Sequence, residues 1–373
     1  MDALMLPLNW QRVRLGDIGK PCMCKRVMKH QTTRYGEIPF YKIGTFGNTA
    51  DAFISKELFL EYKTKYSFPK KGDILISASG TIGRAVIYDG KPAYFQDSNI
   101  VWIDNDETLV KNDFLFYAYS NVKWNTEHTT ILRLYNDNFR NTLIPLPPLN
   151  EQNAIANILS GLDRYLYALD ALILKKEGVK KALSFELLSQ RKRLKGFNQA
   201  WQKVRLGDIT NYLTSNLSVE QITQQGKIKV YDVNNFIGYT DTTFISDKPY
   251  ISIVKDGSVG RVRILPPKTN ILSTMGALIA NHKTTTEFLF YLLSNFDFKN
   301  FTSGSIIPHI YFKDYKEKTI FLPPLNEQSA IADILSTLGN EIASLKNKKR
   351  QFENIKKALN HDLMSAKIRV LKK

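Results

Sequence analysis

Two stretches of the chain repeat apolar residues every three or four positions over about 40 residues each. The first stretch runs through Ile155, Ile158, Leu162, Tyr165, Leu169, Leu172, Val179, Leu183 and Leu187, and the second through Ile331, Ile334, Leu338, Ile342, Leu345, Phe352, Ile355, Leu359 and Leu363. This spacing predicts two amphipathic helices, each roughly 60 Å long at about 1.5 Å per residue. A Pro-Pro pair precedes each stretch, and Asn150 and Asn326 are the predicted N-caps.

An apolar stripe of this length needs a partner along it. The two predicted helices can cover each other if they pack antiparallel within one chain, which would give the molecule a pseudo-two-fold axis. A coiled coil between two copies of the chain is the alternative, and the sequence leaves it open.

The remaining segments predict mixed α and β structure. Apolar runs around glycine-containing turns predict strands over 72–77, 85–88, 250–254 and 261–265, and short buried helices over 114–120 and 288–294. We therefore expect an α+β protein with two mixed domains separated by the two long helices. The predicted boundaries are 1–148 and 195–324 for the domains, and 149–194 and 325–373 for the helical segments.

Near-identical blocks recur along the chain. Trp10–Ile18 returns as Trp201–Ile209 with a single difference, at an offset of 201 − 10 = 191, and Leu146–Gln152 returns as Leu322–Gln328 at an offset of 322 − 146 = 176. The second copy is therefore 191 − 176 = 15 residues shorter between the blocks. The sequence between the blocks has diverged, which favours one scaffold with two different surfaces over uniform drift after a duplication.

The charge balance points to a polyanionic partner. The 373 residues include 52 Lys and Arg against 35 Asp and Glu, a net charge of +17, and 43% of them are hydrophobic. A folded protein with this excess is expected to bind nucleic acid. No membrane-spanning run or secretory signal is visible, so we expect a cytoplasmic protein. Two cysteines and five scattered histidines predict neither a disulfide framework nor a metal site.

Signatures of catalysis are missing from the sequence. There is no Gly-x-x-x-x-Gly-Lys-Ser/Thr phosphate loop, and the Pro-Pro pairs lack the Asn/Asp-Pro-Pro-Tyr/Phe context of amino-methyltransferases. Glu61-Tyr62-Lys63 is the one loose match to a nuclease motif, and we interpret it as a solvated face. We therefore predict a non-catalytic protein. A self-contained DNA-modifying enzyme with unrecognised motifs is one alternative.

The order of blocks resembles the DNA sequence-specificity subunit of Type I restriction-modification systems. The resemblance rests on the two Leu-Pro-Pro-Leu-Asn-Glu-Gln blocks, the two Trp-Gln-x-Val-Arg-Leu-Gly-Asp-Ile blocks and the Lys192–Asn198 stretch. It implies two target recognition domains that each read one half of a split site in double-stranded DNA, with helices that set the spacing.

The resemblance also implies partner subunits. Methyltransferase subunits would dock on the helices, and nuclease-translocase subunits would join them. S-adenosylmethionine, ATP and Mg would then be bound by the partners, with no cofactor on this chain. A stand-alone nucleic-acid-binding coiled-coil protein without a methyltransferase partner is the second alternative.

Candidate DNA-binding residues are polar positions in loops at equivalent places of the two copies, where glycines let the backbone approach a phosphate. They are Ser79, Thr81, Arg84, Thr129, Thr130 and Arg133 in the first copy, and Lys255, Ser258, Arg261, Thr302, Ser303, Ser305 and His309 in the second. A solvated hairpin turn is the alternative for the glycine loops.

The beginnings of the two long helices are the predicted docking points for partner subunits. Glu151, Gln152, Glu327 and Gln328 are the candidates, because we expect them to be exposed. Trp10 and Trp201 are predicted to pack where each domain meets a helix rather than to stack on bases.

Overall fold

The structure, a computed structural model, describes residues 7–128 and 132–370. Contacts within the chain divide it into two compact units. Unit 1 comprises Met1–Leu169 and Lys348–Lys373, and unit 2 comprises Asp170–Asn347. Each unit thus contains one globular segment together with part of both long helices.

Unit 1 is built from short strands and helices that precede the first long helix. Its strands are β1 (Gln11–Arg14), β2 (Gly19–Met23), β3 (Ile38–Tyr41), β4 (Phe53–Ile54), β5 (Ile74–Ser77), β6 (Ala85–Ile87), β7 (Tyr94–Phe95), β8 (Ile100–Asn105), β9 (Glu127–His128), β10 (Leu132–Arg133) and β11 (Leu143–Leu146). Its helices are α1 (Leu15–Ile18), α2 (Lys56–Lys65), α3 (Asn112–Tyr119) and α4 (Asn136–Asn141), and the long helix α5 (Leu149–Leu188) begins in this unit.

Unit 2 repeats this order of elements. Its strands are β12 (Gln202–Arg205), β13 (Thr210–Thr214), β14 (Ile228–Tyr231), β15 (Phe236–Thr240), β16 (Tyr250–Val254), β17 (Val262–Leu265), β18 (Thr269–Ile271), β19 (Met275–Ala280), β20 (Thr302–Ser303), β21 (His309–Ile310) and β22 (Thr319–Leu322). Its helices are α6 (Thr286–Ser294) and α7 (Phe312–Tyr315), and the long helix α8 (Leu325–Met364) begins here.

The sheets of the two units have the same topology. Unit 1 contains an antiparallel sheet of order β2-β8-β5-β6 and a mixed sheet of order β4-β3-β7, and unit 2 contains the matching sheets β13-β19-β16-β17 and β15-β14-β18. The pairs β1-β11 and β10-β9 correspond to β12-β22 and β20-β21. The structure therefore confirms the α+β fold and the internal repeat that the sequence predicts.

Helix α2, with 10 residues, accounts for most of the difference in length between the copies. In unit 1 it follows β4, and its N-cap is Ser55, whose side chain accepts a hydrogen bond from the backbone N of Leu58. In unit 2, all of which is described, the segment between β15 and β16 contains no helix. The second copy has thus lost one surface helix while it keeps every sheet.

Each unit buries a core to which a long helix contributes. In unit 1, Leu363 of α8 and Ile155 of α5 join the core around Phe114 of α3. In unit 2, Leu187 of α5 and Ile331 of α8 join the core around Phe288 of α6. Burial of this apolar surface fixes the helices to the sheets of their own unit.

The two long helices run antiparallel within each unit. In unit 1, Lys356 of α8 pairs with Asp163 of α5, and the Phe352 ring lies 4.8 Å from the Tyr165 ring. In unit 2, Nζ of Lys176 lies 2.7 Å from Oε1 of Glu341, and Nζ of Lys346 lies 2.6 Å from Oε1 of Glu177. The helices of one chain therefore cover each other, as the sequence predicts.

The Pro-Pro pairs start the long helices two residues earlier than the predicted N-caps imply. Helix α5 begins at Leu149, and the carbonyl of Pro148 accepts hydrogen bonds from the backbone N of Glu151 and Gln152, each at 2.9 Å. Asn150, the predicted N-cap, therefore lies inside the first turn, and the same holds for Asn326 in α8. The proline ring fixes φ at a value that suits the start of a helix. The second proline of each pair, rather than the asparagine, is therefore the residue immediately before the helix.

Helix α5 ends at Leu188, earlier than the predicted helical segment, which extends to 194. The chain turns at Gln190, whose φ is +60°, and again at Gly196, whose φ is +91°. These turns carry Arg193 back toward the beginning of α8.

A buried carboxylate stands at the beginning of α5. The indole Nε1 of Trp10 donates to Oε2 of Glu151 at 3.0 Å. The guanidinium of Arg369 donates through Nε and Nη2 to both carboxylate oxygens, at 2.6 and 2.8 Å. We call Trp10, Glu151 and Arg369 the clamp of unit 1, because they join β1, α5 and the segment after α8.

Unit 2 contains the same clamp with Trp201, Glu327 and Arg193. Nε1 of Trp201 donates to Oε2 of Glu327 at 3.0 Å, and Arg193 donates to both carboxylate oxygens at 3.1 and 2.6 Å. Hydrogen bonding to Glu327 raises the pKa of Arg193. The two arginines are separated by 369 − 193 = 176 residues, the offset of the helix blocks, so the repeat extends to the residues that follow each helix.

The clamps correct the expectation that the helix beginnings are exposed. Glu151 is 2% exposed, and Gln152, Glu327 and Gln328 are 0% exposed. Gln152 donates to the carbonyls of Leu109 and Pro147, and Gln328 makes the equivalent bonds to Lys283 and Pro323. These side chains are used inside the chain, so they offer no free docking surface. The predicted packing role of Trp10 and Trp201 is confirmed.

Within the described residues, no helix has both the length and the apolarity required to cross a membrane.

Replacement of Glu151 by Gln tests the clamp of unit 1. The amide keeps the size of the side chain but removes the charge that compensates the guanidinium of Arg369 in a largely buried position. We expect the free energy of unfolding to fall by about 2–3 kcal/mol, somewhat less than for a fully buried pair because Arg369 is partly exposed. Urea unfolding followed by tryptophan fluorescence measures the change.

Glu61→Gln is the matched control, because it breaks the exposed pair between Lys65 and Glu61 on α2. Exposed pairs contribute little to stability, so this variant should unfold like the wild type. An unfolding midpoint of Glu151→Gln equal to that of the control would contradict a stabilising clamp.

Candidate nucleic-acid interface

In unit 1 the first predicted loop joins β5 to β6 and is held at both ends. The backbone N of Gly83 donates to the carbonyl of Ser77 at 2.9 Å, and the Ser77 hydroxyl accepts from the backbone N of Arg84 at 2.9 Å. Gly80 and Gly83 have φ values of +66° and +83°. Thr81 and Arg84 are exposed on this loop, and Arg84 reaches the carbonyl of Gly47 at 3.3 Å.

The corresponding loop of unit 2 joins β16 to β17 and repeats the backbone bond, although Val254 has no hydroxyl to match that of Ser77. The backbone N of Gly260 donates to the carbonyl of Val254 at 2.9 Å, and Gly257 and Gly260 have φ values of +82° and +80°. Ser258 and Arg261 are exposed, whereas Lys255 is half-buried. Nη2 of Arg261 donates to Oδ1 of Asn234 at 2.7 Å.

An aromatic ring supports the second glycine of each loop. A Cβ atom on Gly83 would lie 2.0 Å from Nε1 of Trp124, and a Cβ atom on Gly260 would lie 2.6 Å from the Phe298 ring. No other residue fits at these positions, because both the φ value and the ring exclude a side chain. The two loops therefore have the same backbone shape, although the supporting rings differ.

The structure brings the two predicted sets of residues together. In unit 1 an isolated β-bridge joins Ser79 of the glycine loop to Arg133, and in unit 2 an isolated bridge joins Asp256 to His309. The backbone N of Leu134 donates to the carbonyl of Ala78 at 2.9 Å, and Ile310 makes the equivalent bond to Lys255 at 2.9 Å. Each unit thus has one polar surface formed by the glycine loop and the hairpin that lies ahead of its Pro-Pro pair.

The side chains at these equivalent bridges differ in chemistry. In unit 1, Ser79 and Arg133 both donate to Oδ1 of Asn99, at 2.8 and 3.0 Å. In unit 2, Nδ1 of His309 lies 2.6 Å from Oδ1 of Asp256. Since a carboxylate accepts, Nδ1 carries the hydrogen, and Nε2 on the other side of the ring is left for another partner. The two surfaces therefore present different patterns of donors and acceptors.

Burial near this surface raises the pKa of a neighbouring tyrosine in unit 2. Tyr212 stacks on Phe312 with ring centroids 4.5 Å apart, and its hydroxyl group approaches Gly276. Burial raises the pKa of Tyr212, and the negative charge of Asp256 raises it further. Tyr212 therefore stays a neutral phenol beside the Asp256–His309 pair.

The remaining predicted residues of unit 2 lie on the hairpin formed by β20 and β21. Thr302, Ser303 and Ser305 are exposed, and the Thr302 hydroxyl donates to the carbonyl of Phe298 at 2.9 Å. Gly304 turns the hairpin with a φ of +90°. Thr129 and Thr130, the matching predictions for unit 1, lie outside the described residues.

Sequence reasoning missed several residues of these surfaces. Asn99 and Asp256 bind predicted residues directly, and Ile306 and Ile307 stand at the hairpin turn with 92% and 55% of their surface exposed. Asn99 belongs to no motif. The sequence does contain a signal for Asp256. It immediately precedes Gly257, just as the predicted residue Ser79 immediately precedes Gly80.

In the described part of the chain, no group of three or more His, Cys, Asp or Glu side chains is arranged so that it could hold a metal ion. The polar groups of these surfaces are hydroxyl, amide, guanidinium, ammonium and imidazole groups and the carboxylate of Asp256. Such groups can bind phosphates and base edges.

A family model described as Type I restriction modification DNA specificity domain matches residues 7–176 and 198–354. The two matched segments follow the internal repeat, and together they cover most of the chain.

Individual relatives agree with this match. The chain is 64% identical over 148 residues to a putative type I restriction enzyme specificity subunit of Haemophilus influenzae, S.HindORF215P. That match covers 39% of this chain and 38% of the relative, so it spans well under half of either protein. The Type I restriction enzyme MjaVIII specificity subunit of Methanocaldococcus jannaschii is 25% identical over 99% of this chain and 95% of its own length.

A solved structure supports the fold. The crystal structure of a Type-I restriction-modification system S subunit from M. genitalium superposes with a TM-score of 0.64 at 20% sequence identity, covering 96% of this chain and 98% of that one. The repeated architecture, the two polar surfaces and the family match agree, and the chain belongs to the family of type I restriction-modification DNA specificity subunits.

Proposed function

We propose that the chain reads a bipartite, asymmetric site in double-stranded DNA and that each unit reads one half of it. One observation carries this proposal. The bridges Ser79–Arg133 and Asp256–His309 occupy equivalent places on one backbone framework but present different hydrogen-bonding groups. Recognition of two different half-sites requires two DNA-binding surfaces that share a backbone shape but carry different hydrogen-bonding groups.

The charge of the protein favours DNA as the ligand. The net charge of +17 provides the attraction to phosphates that most of the affinity for DNA depends on. Glycines in both loops allow the backbone to approach a phosphate, while Arg84 and Arg261 lie exposed beside them. Because its ligand is DNA, we infer that the protein works in the cytoplasm.

The long helices have two roles in this proposal. Their length sets the number of base pairs between the half-sites, with an upper limit of about 18 base pairs for roughly 60 Å of helix. They also dock methyltransferase subunits, to which nuclease-translocase subunits are added. Since Glu151 and Glu327 are buried, docking uses exposed side chains of the helices, such as Tyr167 in unit 1 and Leu174 in unit 2, which are 79% and 72% exposed.

Catalysis belongs to the partner subunits in this proposal. S-adenosylmethionine, ATP and Mg are bound by the partners, and the chain supplies the recognition of DNA.

An exchange of segments tests the division of labour between the units. Residues 195–324 are replaced by the corresponding segment of another family member, which leaves Glu327 and Arg193 of the clamp in place. We expect one half of the methylated site to change completely and the other half to stay the same. Single-molecule sequencing of methylated adenines in the host genome measures both halves, and a change in both would refute two independent readers.

Two point variants test the residues at the bridges. His309→Ala is expected to weaken discrimination in the half-site of unit 2 by about tenfold or more, since a good base contact is worth about 1–3 kcal/mol. Arg133→Ala is expected to do the same in the other half-site. Selection of bound duplexes from a random library followed by sequencing reads both halves, and each variant serves as the control for the other. Equal effects on both halves would contradict the assignment.

Purification of the native complex tests the partners and the absence of catalysis. The tagged chain, expressed with its neighbouring genes, should co-purify an adenine-methyltransferase-like subunit, and methyl transfer should require that subunit. A chain that binds DNA but co-purifies no such subunit would favour the stand-alone DNA-binding protein. Methylation or Mg-dependent cleavage by the chain alone would instead favour a self-contained enzyme.

A further inference from the structure

Residues 25–35 of unit 1 form an exposed basic segment, which we call the basic loop. It carries Lys25, Arg26, Lys29, His30 and Arg34, all of them exposed. Arg26 pairs with Asp97 at 2.8 Å. Among the described residues, Lys29 and Arg34 have no ion-pair partner. Most of the charge of the basic loop is therefore not neutralised within the chain.

The equivalent segment of unit 2 carries none of this charge. The register is fixed by Thr33, which pairs with Phe53 as Thr223 pairs with Tyr239. Residues 216–225 contain no Lys or Arg, and Glu220 occupies the place of His30. The two copies thus share the backbone of this segment but differ in its electrostatics.

Helix α2 supports the basic loop. The amide of Gln31 donates to the hydroxyl of Tyr62 at 3.4 Å, and Nζ of Lys25 lies 5.0 Å from the centroid of the Tyr66 ring. Unit 2 lacks both this helix and the basic residues. The helix and the charge therefore belong to one feature that is specific to unit 1.

The basic loop adjoins the polar surface at the bridge of unit 1. Asp97, which binds Arg26, is two residues from Asn99, which binds Ser79 and Arg133. The chain between them forms a turn, in which Ser98 has a φ of +60° and the backbone N of Asn99 donates to the carbonyl of Asp97 at 2.7 Å, so the two side chains start from neighbouring points of the backbone. A duplex that contacts Arg133, beside the buried Ser79, would therefore pass close to the basic loop.

We propose that the basic loop binds phosphates of the DNA that flanks the half-site read by unit 1. This inference rests on the proposed function. The contacts add affinity without reading sequence, because Lys and Arg at phosphates fix position and carry no base information. The basic loop then adds a sequence-independent attraction on the side of unit 1 that the equivalent segment of unit 2 does not supply.

The asymmetry favours DNA over an acidic protein partner. A subunit that docks on both copies would require its docking residues in both, yet unit 2 has lost all the positive charge of this segment. The polar surface that the basic loop adjoins is present in both units, so an added phosphate contact on one side strengthens a site that already exists.

The test compares how DNA binding depends on salt. The variant Lys25→Asn/Lys29→Gln/Arg34→Gln removes three charges and introduces at position 34 the residue of unit 2, Gln224. Binding of the full-length chain, with any methyltransferase subunit that co-purifies, to a labelled mixed-sequence duplex is measured at several salt concentrations. If each residue neutralises one phosphate, the slope of log K against log salt should become shallower by about 2.7.

The control removes three charges at the opposite end of the same sheet. Lys20, Lys70 and Lys71 are exposed; Lys20 pairs in the sheet with Asp104, at the other end of β8 from Asp97, Lys70 donates to the Asp104 carboxylate at 3.0 Å, and Lys71 follows Lys70. Lys20→Gln/Lys70→Gln/Lys71→Gln has the same net charge as the test variant, so a general electrostatic effect would change both slopes equally. Thermal unfolding of both variants verifies that they remain folded.

The outcomes separate this inference from the proposed function. A shallower slope for the test variant, with the slope of the control and the selected sequence unchanged, supports the basic loop as a phosphate contact. Equal slopes for the test variant and the wild type would overturn it, as would loss of the methyltransferase subunit with DNA binding retained. If the wild type selects no sequence at all, the proposed function itself fails.

Discussion

Each unit is organised around one buried carboxylate. A carboxylate taken out of water costs several kcal/mol unless charge and hydrogen bonds replace its hydration. Glu151 and Glu327 meet this requirement with an arginine that binds both oxygens and an indole N–H. Three separate parts of the sequence must therefore come together at one point, which explains why the blocks that contain them are the best preserved parts of the repeat.

The clamps hold the framework constant while the polar surfaces vary. Gly83 and Gly260 give two loops the same path, and each is fixed against an aromatic ring. On this common backbone an Asn–Arg–Ser cluster in one unit corresponds to an Asp–His pair in the other. Under the proposed function, stability and recognition would thus depend on different residues, and one could change without loss of the other.

Much of the fold could be predicted because its signals are local. Helical periodicity, the Pro-Pro pairs and the glycine-bounded strands are each defined by residues close together in the sequence. Each of these signals also occurs in both copies of the repeat. The burial of Glu151 could not be predicted in this way. Its partners lie 141 and 218 residues away, and a charged residue in the first turn of a helix is usually solvated. The pairing of Asp256 with His309 could not be predicted for the same reason, because the two residues are 53 positions apart in the sequence.

The composition of unit 1 has a consequence for the order in which the protein matures during synthesis. The ribosome makes most of unit 1 first, yet that unit also needs Lys348–Lys373, which emerges after all of unit 2. Unit 2 is continuous in sequence and can complete its core and its clamp as soon as residue 347 has left the ribosome. The first-made unit is therefore the last to be completed, and until Arg369 arrives the carboxylate of Glu151 lacks its counter-charge.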